Sequence, residues 1–254
     1  VATPLGNLED ITFRAVKILE SVDLIAAEDT RHSKKLLNHY NIKTKLSSFH
    51  EHNETTKKDR LIEHLHQGLN IALISDAGTP TISDPGFQLI NKVAKENIPI
   101  IPVPGCCAAI AGLCASGLPT DSFRFSGFLP KKTQKLKQEL EKLKFETGTL
   151  IFYESPKRIK SLVKTAIQIL EDRPACLARE ISKIHEEYIR GKLSEILEKL
   201  NEKNSIKGEC SLFIQGYNLK KNKADSLDEE SLKQIIFDRL EQTELKKSEL
   251  AKQI

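Results

Sequence analysis

Short apolar runs at residues 24–27, 71–74 and 98–103, with 1–2 as the tail of a fourth, alternate with stretches at 14–21, 57–67 and 87–96 whose apolar residues recur at helical spacing. Each run ends abruptly in small, polar or turn-forming residues. Thr3-Pro4-Leu5-Gly6-Asn7 follows the first and Glu28-Asp29-Thr30-Arg31 the second. Residues 75–86 follow the third, and Pro104-Gly105-Cys106-Cys107-Ala108-Ala109 follows the fourth and runs into a small-residue helical stretch to 115. Strands alternating with helices predict a mostly parallel sheet. Loops that leave the carboxyl ends of such strands share one edge, so these loops should face one cleft, where α/β proteins bind ligands. The run Ser75-Asp76-Ala77-Gly78-Thr79-Pro80-Thr81-Ile82-Ser83-Asp84-Pro85-Gly86 is the most telling of them. It is longer than the roughly 2–6 residues a connecting αβ loop needs, and it sets two carboxylates, Asp76 and Asp84, at the mouth of the sheet.

Ser116-Gly117-Leu118-Pro119-Thr120-Asp121 signals a boundary. Beyond it, apolar runs at 123–125, 149–153, 175–178, 188–190 and 210–215 are separated by helical patterns at 134–143, 157–170 and 193–200, which predicts a second α/β domain with a mixed sheet. The expected organisation is an N-terminal α/β domain over 1–117, a C-terminal α/β domain over 118–218, and a linker with a truncated helical extension over 219–254. Lys220, Lys221 and Lys223 make the linker basic, Ser226-Leu227-Asp228-Glu229 is a capping box, and Leu232, Ile235, Ile236 and Leu240 supply one apolar helix face.

Composition refines this picture only a little. At 254 residues with 39% hydrophobic content the chain can bury real cores. No apolar stretch approaches the roughly 20 residues of a membrane span, and no signal peptide is visible, so a cytoplasmic protein with no membrane partner is expected. The absence of Met predicts that the natural start precedes Val1. Net charge is +4, with Lys131, Lys132, Lys135, Lys137, Lys142 and Lys144 clustered and Lys157, Lys160 and Lys164 close behind. Such a group suits nucleic-acid phosphates, and equally an ordinary solvated surface. The five cysteines, Cys106, Cys107, Cys114, Cys176 and Cys210, are odd in number and include an adjacent pair without C-x-x-C spacing. They predict small buried side chains, neither a disulfide framework nor a zinc site. No G-x-G-x-x-G is present, which removes the support for a Rossmann-type site.

The motifs Thr3 to Thr12, Glu28-Asp29-Thr30-Arg31, His50-Glu51-His52-Asn53-Glu54, Ser75 to Gly86, Tyr153-Glu154-Ser155-Pro156-Lys157-Arg158 and Lys183-Ile184-His185-Glu186-Glu187 together resemble the ribosomal RNA small subunit methyltransferase I family. This is a branch of the tetrapyrrole methylase-like, class III S-adenosylmethionine (SAM) enzymes, and the likeness runs from Val1 to about Tyr217. It implies two α/β domains with SAM in the cleft between them, a partial C-terminal helical extension, a homodimer, and 2′-O-methylation of a cytidine in 16S ribosomal RNA, within the small ribosomal subunit. Carried over by position, it puts Pro4, Asp76, Ala77, Gly78, Thr79, Cys107, Ala108, Tyr153 and Glu209 around SAM and Lys183 with His185 and Glu186 near the active cleft. Where the family usually has Pro-Ser-Ala this chain has Cys106-Cys107-Ala108, so the hydroxyl is lost.

Methyl transfer from a sulfonium needs alignment and a dry site, and no metal is expected. A ribose hydroxyl is a poor nucleophile that a placed base helps. Glu28 and Asp29 are the candidates for that base and Arg31 for a phosphate clamp; Asp29 or Thr30 would equally serve as a helix cap. His50, His52 and Asn53 are candidates for binding phosphate or nucleotide, and Lys183 for the RNA side of the cleft. If extended, 50–54 puts both imidazoles on one side, but a third metal ligand is missing. Two rivals stand beside this reading: methylation of a small molecule such as a tetrapyrrole, and a non-catalytic RNA-binding module.

Overall fold

The computed structural model describes residues 1–218, so the linker lysines, capping box and apolar stripe expected beyond residue 218 lie outside the described residues. A parallel sheet of three strands, β1 (Leu24–Ala27), β2 (Leu46–Ser48) and β3 (Ile71–Ile74), is ordered β2-β1-β3. The period-two alternation of β1 sends its side chains into two separate cores. Ile25 and Ala27 pack with Leu19, Leu37 and Ile74, beneath α1 (Phe13–Ser21) and α2 (Thr30–His39). Leu24 and Ala26 pack with Phe49, Leu61, Leu89 and Val93, beneath α3 (Glu54–His66) and α4 (Phe87–Lys95). Helices on both faces explain why every residue of β1 is buried.

The expected strand at 98–103 does not form. Pro99 and Pro102 have no N–H to offer a ladder, and Ile100 and Ile101 stay exposed. The segment is tied to the start of the chain by the bond from the Ala2 amide to the Val103 carbonyl at 3.2 Å. Residues 1–3 also hold to β3 and its loop, through the Val1 amine on the Leu73 carbonyl at 2.8 Å and an isolated bridge between Thr3 and Gly78.

The second sheet comprises β4 (Phe123–Phe128), β5 (Thr149–Glu154), β6 (Pro174–Arg179), β7 (Glu187–Lys192) and β8 (Cys210–Ile214), in the order β4-β5-β8-β6-β7. Only β4 and β5 run parallel; the other pairs are antiparallel, so the sheet is mixed. One face is covered by α6 (Thr133–Lys142), α7 (Ile159–Leu170) and α8 (Leu193–Glu202) around Leu140, Phe152, Leu162, Leu177, Ile196 and Leu212. The other face is covered by α5 (Ala108–Ser116), whose Ala109 and Leu113 pack on Ile151, Cys176, Ala178 and Phe213. A Cβ on Gly112 would collide with the Phe213 ring, so only glycine lets this helix lie so close. Truncating fully buried Phe213 to Ala should cost about 3–5 kcal/mol. Although α5 precedes the expected boundary at residue 117, it packs on the second sheet, and Val1–Gly216 forms one compact unit.

Candidate functional site

The strand ends and α5 bring four loops together, and hydroxyls pin them. Thr3 Oγ1 donates to the Ser75 carbonyl at 3.1 Å, and Thr79 Oγ1 donates to the Cys106 carbonyl at 2.9 Å. The loop after β3 is conformationally unusual: Thr81 and Ser83 both have left-handed backbones, at φ 72° and 65°, which β-branched and other non-glycine residues adopt rarely. Where the loops meet the second sheet lies a cavity of about 390 Å³, within the range of about 300–1,000 Å³ common for small-molecule sites.

Most of the residues expected around the cofactor line this cavity: Asp76, Ala77, Gly78, Thr79, Cys107, Ala108, Tyr153 and Glu209. Pro4 does not; it is buried beside Leu5, which does. The Tyr153 hydroxyl accepts the Ala109 amide at 2.9 Å, fixing the second sheet to the start of α5. Burial pushes its phenol above the ordinary value, so Tyr153 stays protonated.

Glu28 and Asp29, adjacent in sequence, part company in space. Glu28 lines the cavity, and burial raises its carboxyl, against a hydrogen bond from the Asp76 amide. Asp29 is exposed and caps α2, its Oδ1 accepting the Arg31 amide at 2.8 Å, a bond that lowers its carboxyl. Arg31 sits in the first turn of α2 with its side chain exposed.

His50 and His52 lie in a turn, and their rings meet edge-on at 6.0 Å. The extended geometry assumed for them is therefore absent, because the chain bends at residues 51–53 to start α3. Asn53 Oδ1 accepts the His50 amide at 2.9 Å, and His50 lies close enough for its charge to act on Glu28. Lys183 stands behind the far wall, bonded to Glu180 at 2.9 Å and to Glu209 at 3.3 Å. His185 and Glu186 are exposed.

Of the lining residues with no role assigned from sequence, Asp84, Glu154 and Phe128 bring chemistry of their own. Asp84 was visible as a loop carboxylate, and burial raises it to about 6. Glu154, at the end of β5, is buried and held by Arg158 at 2.6 Å. Phe128 gave no sequence signal, because it lies beyond the apolar run expected at 123–125, and the strand extends to it. Altogether five carboxylates, Glu28, Asp76, Asp84, Glu154 and Glu209, line the cavity and no Lys or Arg does. Such a wall suits a cationic ligand with hydroxyls to satisfy. Among the described residues, no group of three or more His, Cys, Asp or Glu is placed to hold a metal ion, and no helix is long and apolar enough to cross a membrane.

Residues 1–197 match the family of tetrapyrrole (corrin/porphyrin) methylases. The chain is 52% identical over 216 residues to the ribosomal RNA small subunit methyltransferase I of Halalkalibacterium halodurans, covering 85% of this chain and 74% of that protein. It is 49% identical over 231 residues to the protein of the same name from Haemophilus influenzae, covering 90% and 80%. Among solved structures it is similar to uroporphyrin-III-C-methyltransferase from Thermus thermophilus, at TM-score 0.61 and 19% identity over 84% of this chain and 91% of that one. A structure of the Thermus enzyme complexed with S-adenosyl homocysteine matches at TM-score 0.57 and 16% identity, covering 84% and 94%. Diphthine synthase matches at TM-score 0.64 and 13% identity, covering 85% and 88%.

Proposed function

Because the chain belongs to the ribosomal RNA small subunit methyltransferase I family within the tetrapyrrole methylases, we propose that it methylates the 2′-hydroxyl of a cytidine in 16S ribosomal RNA, with SAM as donor. The observation that carries the reading is the cavity lined by five carboxylates and by no Lys or Arg, at the meeting of the strand-end loops. The donor set fits SAM, which brings a sulfonium, an ammonium group and ribose hydroxyls. When bound, SAM supplies a methyl group on a positively charged sulfur.

The chain's own residues supply the rest. Asp76 and Glu209 provide countercharge and acceptors, the backbone amides of Ala77 and Thr79 provide donors, and Gly78, bridged to Thr3, holds that loop in place. Leu5, Ile82 and Tyr153 shed water from the walls. Glu28 accepts the proton of the ribose hydroxyl, and its burial-raised carboxyl makes it a stronger base than an exposed glutamate. Arg31, His50, His52 and Asn53 lie on the α2 and α3 side for the RNA, with Lys183 behind the opposite wall.

The protein acts in the cytoplasm as a homodimer in this reading. Phe13 and Ile184, 91% and 97% exposed and close in sequence to the bonded pair Asp10 and Ser182, are the apolar side chains offered to a second copy. Sedimentation of wild type beside Phe13→Asp and Ile184→Asp tests that.

Methyl-labelled SAM offered with assembled small subunits, naked 16S RNA or a tetrapyrrole tests the activity. Label should enter RNA and leave one ribose resistant to alkaline cleavage. Label on the tetrapyrrole alone, or on a base, would overturn the reading.

A further inference from the structure

Phe128 ends β4 and is 62% exposed, an unfavourable place for a large apolar ring, and an irregularity of the strand puts it there. Phe125 stands opposite Ile151 and Phe128 opposite Tyr153, with a register shift between Phe125 and Gly127. Strand alternation alone would send residues three apart to opposite faces. The extra residue of the bulge turns Phe128 onto the face that Phe125 and Tyr153 share. Both phenylalanines meet Tyr153 edge-on, with centroids 4.9 Å and 5.8 Å from it. Gly127 carries the bend at φ 59°, and a Cβ there would meet Ser83 Oγ at 2.7 Å, so the Asp84 loop lies against the bulge. The outcome is a ring steadied by Tyr153 on one side and open to solvent on the other, at the wall of the cavity.

Charge decides what that ring faces. Just past it, exposed Lys131 and Lys132 lead into α6, which adds exposed Lys135 and Lys137. The cavity behind it is lined by carboxylates alone among charged side chains. Phosphates are drawn to the lysine rim and repelled from the interior, so the uncharged, flat part of a nucleotide is what suits the mouth. Aromatic platforms beside basic grooves hold single-stranded bases in this way.

We propose that Phe128 is the platform on which the base of the target nucleotide stacks, with the flanking phosphates on the Lys131–Lys132 rim. The inference rests on the RNA-methylating reading and specifies how that site holds its substrate. The test uses the full chain with Phe128→Ala and Phe128→Trp, and 16S RNA fragments with a fluorescent cytosine analogue at the position that methylation mapping identifies. Phe128→Ala should raise the RNA concentration for half-maximal single turnover by about 5–150-fold, the usual loss for one stacked base. SAM affinity by calorimetry should not change, and Phe128→Trp should restore RNA dependence. Analogue fluorescence should be quenched on binding wild type and the Trp variant, and not the Ala variant. Unchanged RNA dependence in Phe128→Ala, or a loss of SAM affinity in its place, would overturn the platform while leaving RNA methylation by wild type intact. Failure of wild type to methylate RNA would overturn the parent reading and the platform with it.

Discussion

The backbone amide of Asp29 donates to Oδ1 of Asp76 at 3.0 Å, joining the ends of β1 and β3 across 47 residues of sequence. Asp76 therefore has two tasks, to hold the neighbouring loop and to present charge to the cavity. Asp76→Asn keeps an acceptor for the Asp29 amide and loses the charge; Asp76→Ala loses both. Both variants should bind SAM more weakly by calorimetry. Only the alanine variant should also lose stability, by about 1 kcal/mol for the hydrogen bond. Full SAM affinity in a folded Asp76→Ala protein would remove this carboxylate from the cofactor site.

Glu28 and Asp29 differ in what their carboxylates already do. Asp29 is committed to the α2 cap, and Asn serves that position as well as Asp. Glu28 faces the cavity. Asp29→Asn should therefore leave single-turnover methyl transfer near wild type. Glu28→Gln should slow it by about 10²–10⁴, the usual worth of a general base, with RNA and SAM still bound. A fall of less than about tenfold in Glu28→Gln would leave alignment to carry the reaction, with His50 the next group to test.

This split marks where sequence stops being legible. The loop at 75–86 could be read because an apolar run gives way at once to Gly, Pro and carboxylates, a signal held in adjacent residues. Whether Glu28 or its neighbour faces the cavity depends on where α2 begins its first turn, a matter of one residue. The apolar run at 98–103 looked like a strand by hydrophobicity, and the missing N–H groups of Pro99 and Pro102 prevailed. That α5 covers the second sheet rests on its approach to Phe213, a contact between residues 101 positions apart in chains of separate strands and helices. Phe128 escaped notice because its direction is set by a bulge, and a one-residue irregularity has no period to detect.

Asp84 gives the cavity a pH dependence. Burial raises its carboxyl from 3.8 to about 6, helped by the nearby carboxylates of Glu28, Asp76 and Glu209 and opposed by a hydrogen bond from Ser75. Between those two values the folded chain holds more protons than the unfolded one, so this group's contribution to stability falls as pH rises through the window. Asp84→Asn, fixed in a neutral form, should melt higher than wild type above pH 6 and converge with it at acid pH. Binding of a cation has the opposite sign. It favours the ionised carboxylate, so SAM affinity should rise with pH through about 6 and binding there should release protons. Calorimetry in buffers of different ionisation enthalpy reads the released protons directly. Asp84→Asn should abolish that release, and an unaltered release in the variant would assign the proton to another group.

Arg31 and Lys183 separate two ways in which a cation near the cleft can act. The Arg31 guanidinium is exposed and makes no hydrogen bond or ion pair among the described residues, which leaves its planar fork available to a phosphate. The Lys183 ammonium is half-buried between Glu180 and Glu209, and Glu209 lines the cavity. Phosphate contacts release counterions, so each one adds to the slope of log affinity against log salt. Arg31→Ala should weaken RNA binding and reduce that slope by about 1. Lys183→Met should leave the slope alone and alter SAM affinity, because an unpaired Glu209 is free to move and to repel its neighbours. A reduced slope in Lys183→Met would return this lysine to the RNA surface. An unchanged slope in Arg31→Ala would remove Arg31 from the phosphate contacts and leave them to the Lys131–Lys132 rim, which the same measurement on Lys131→Ala and Lys132→Ala reads.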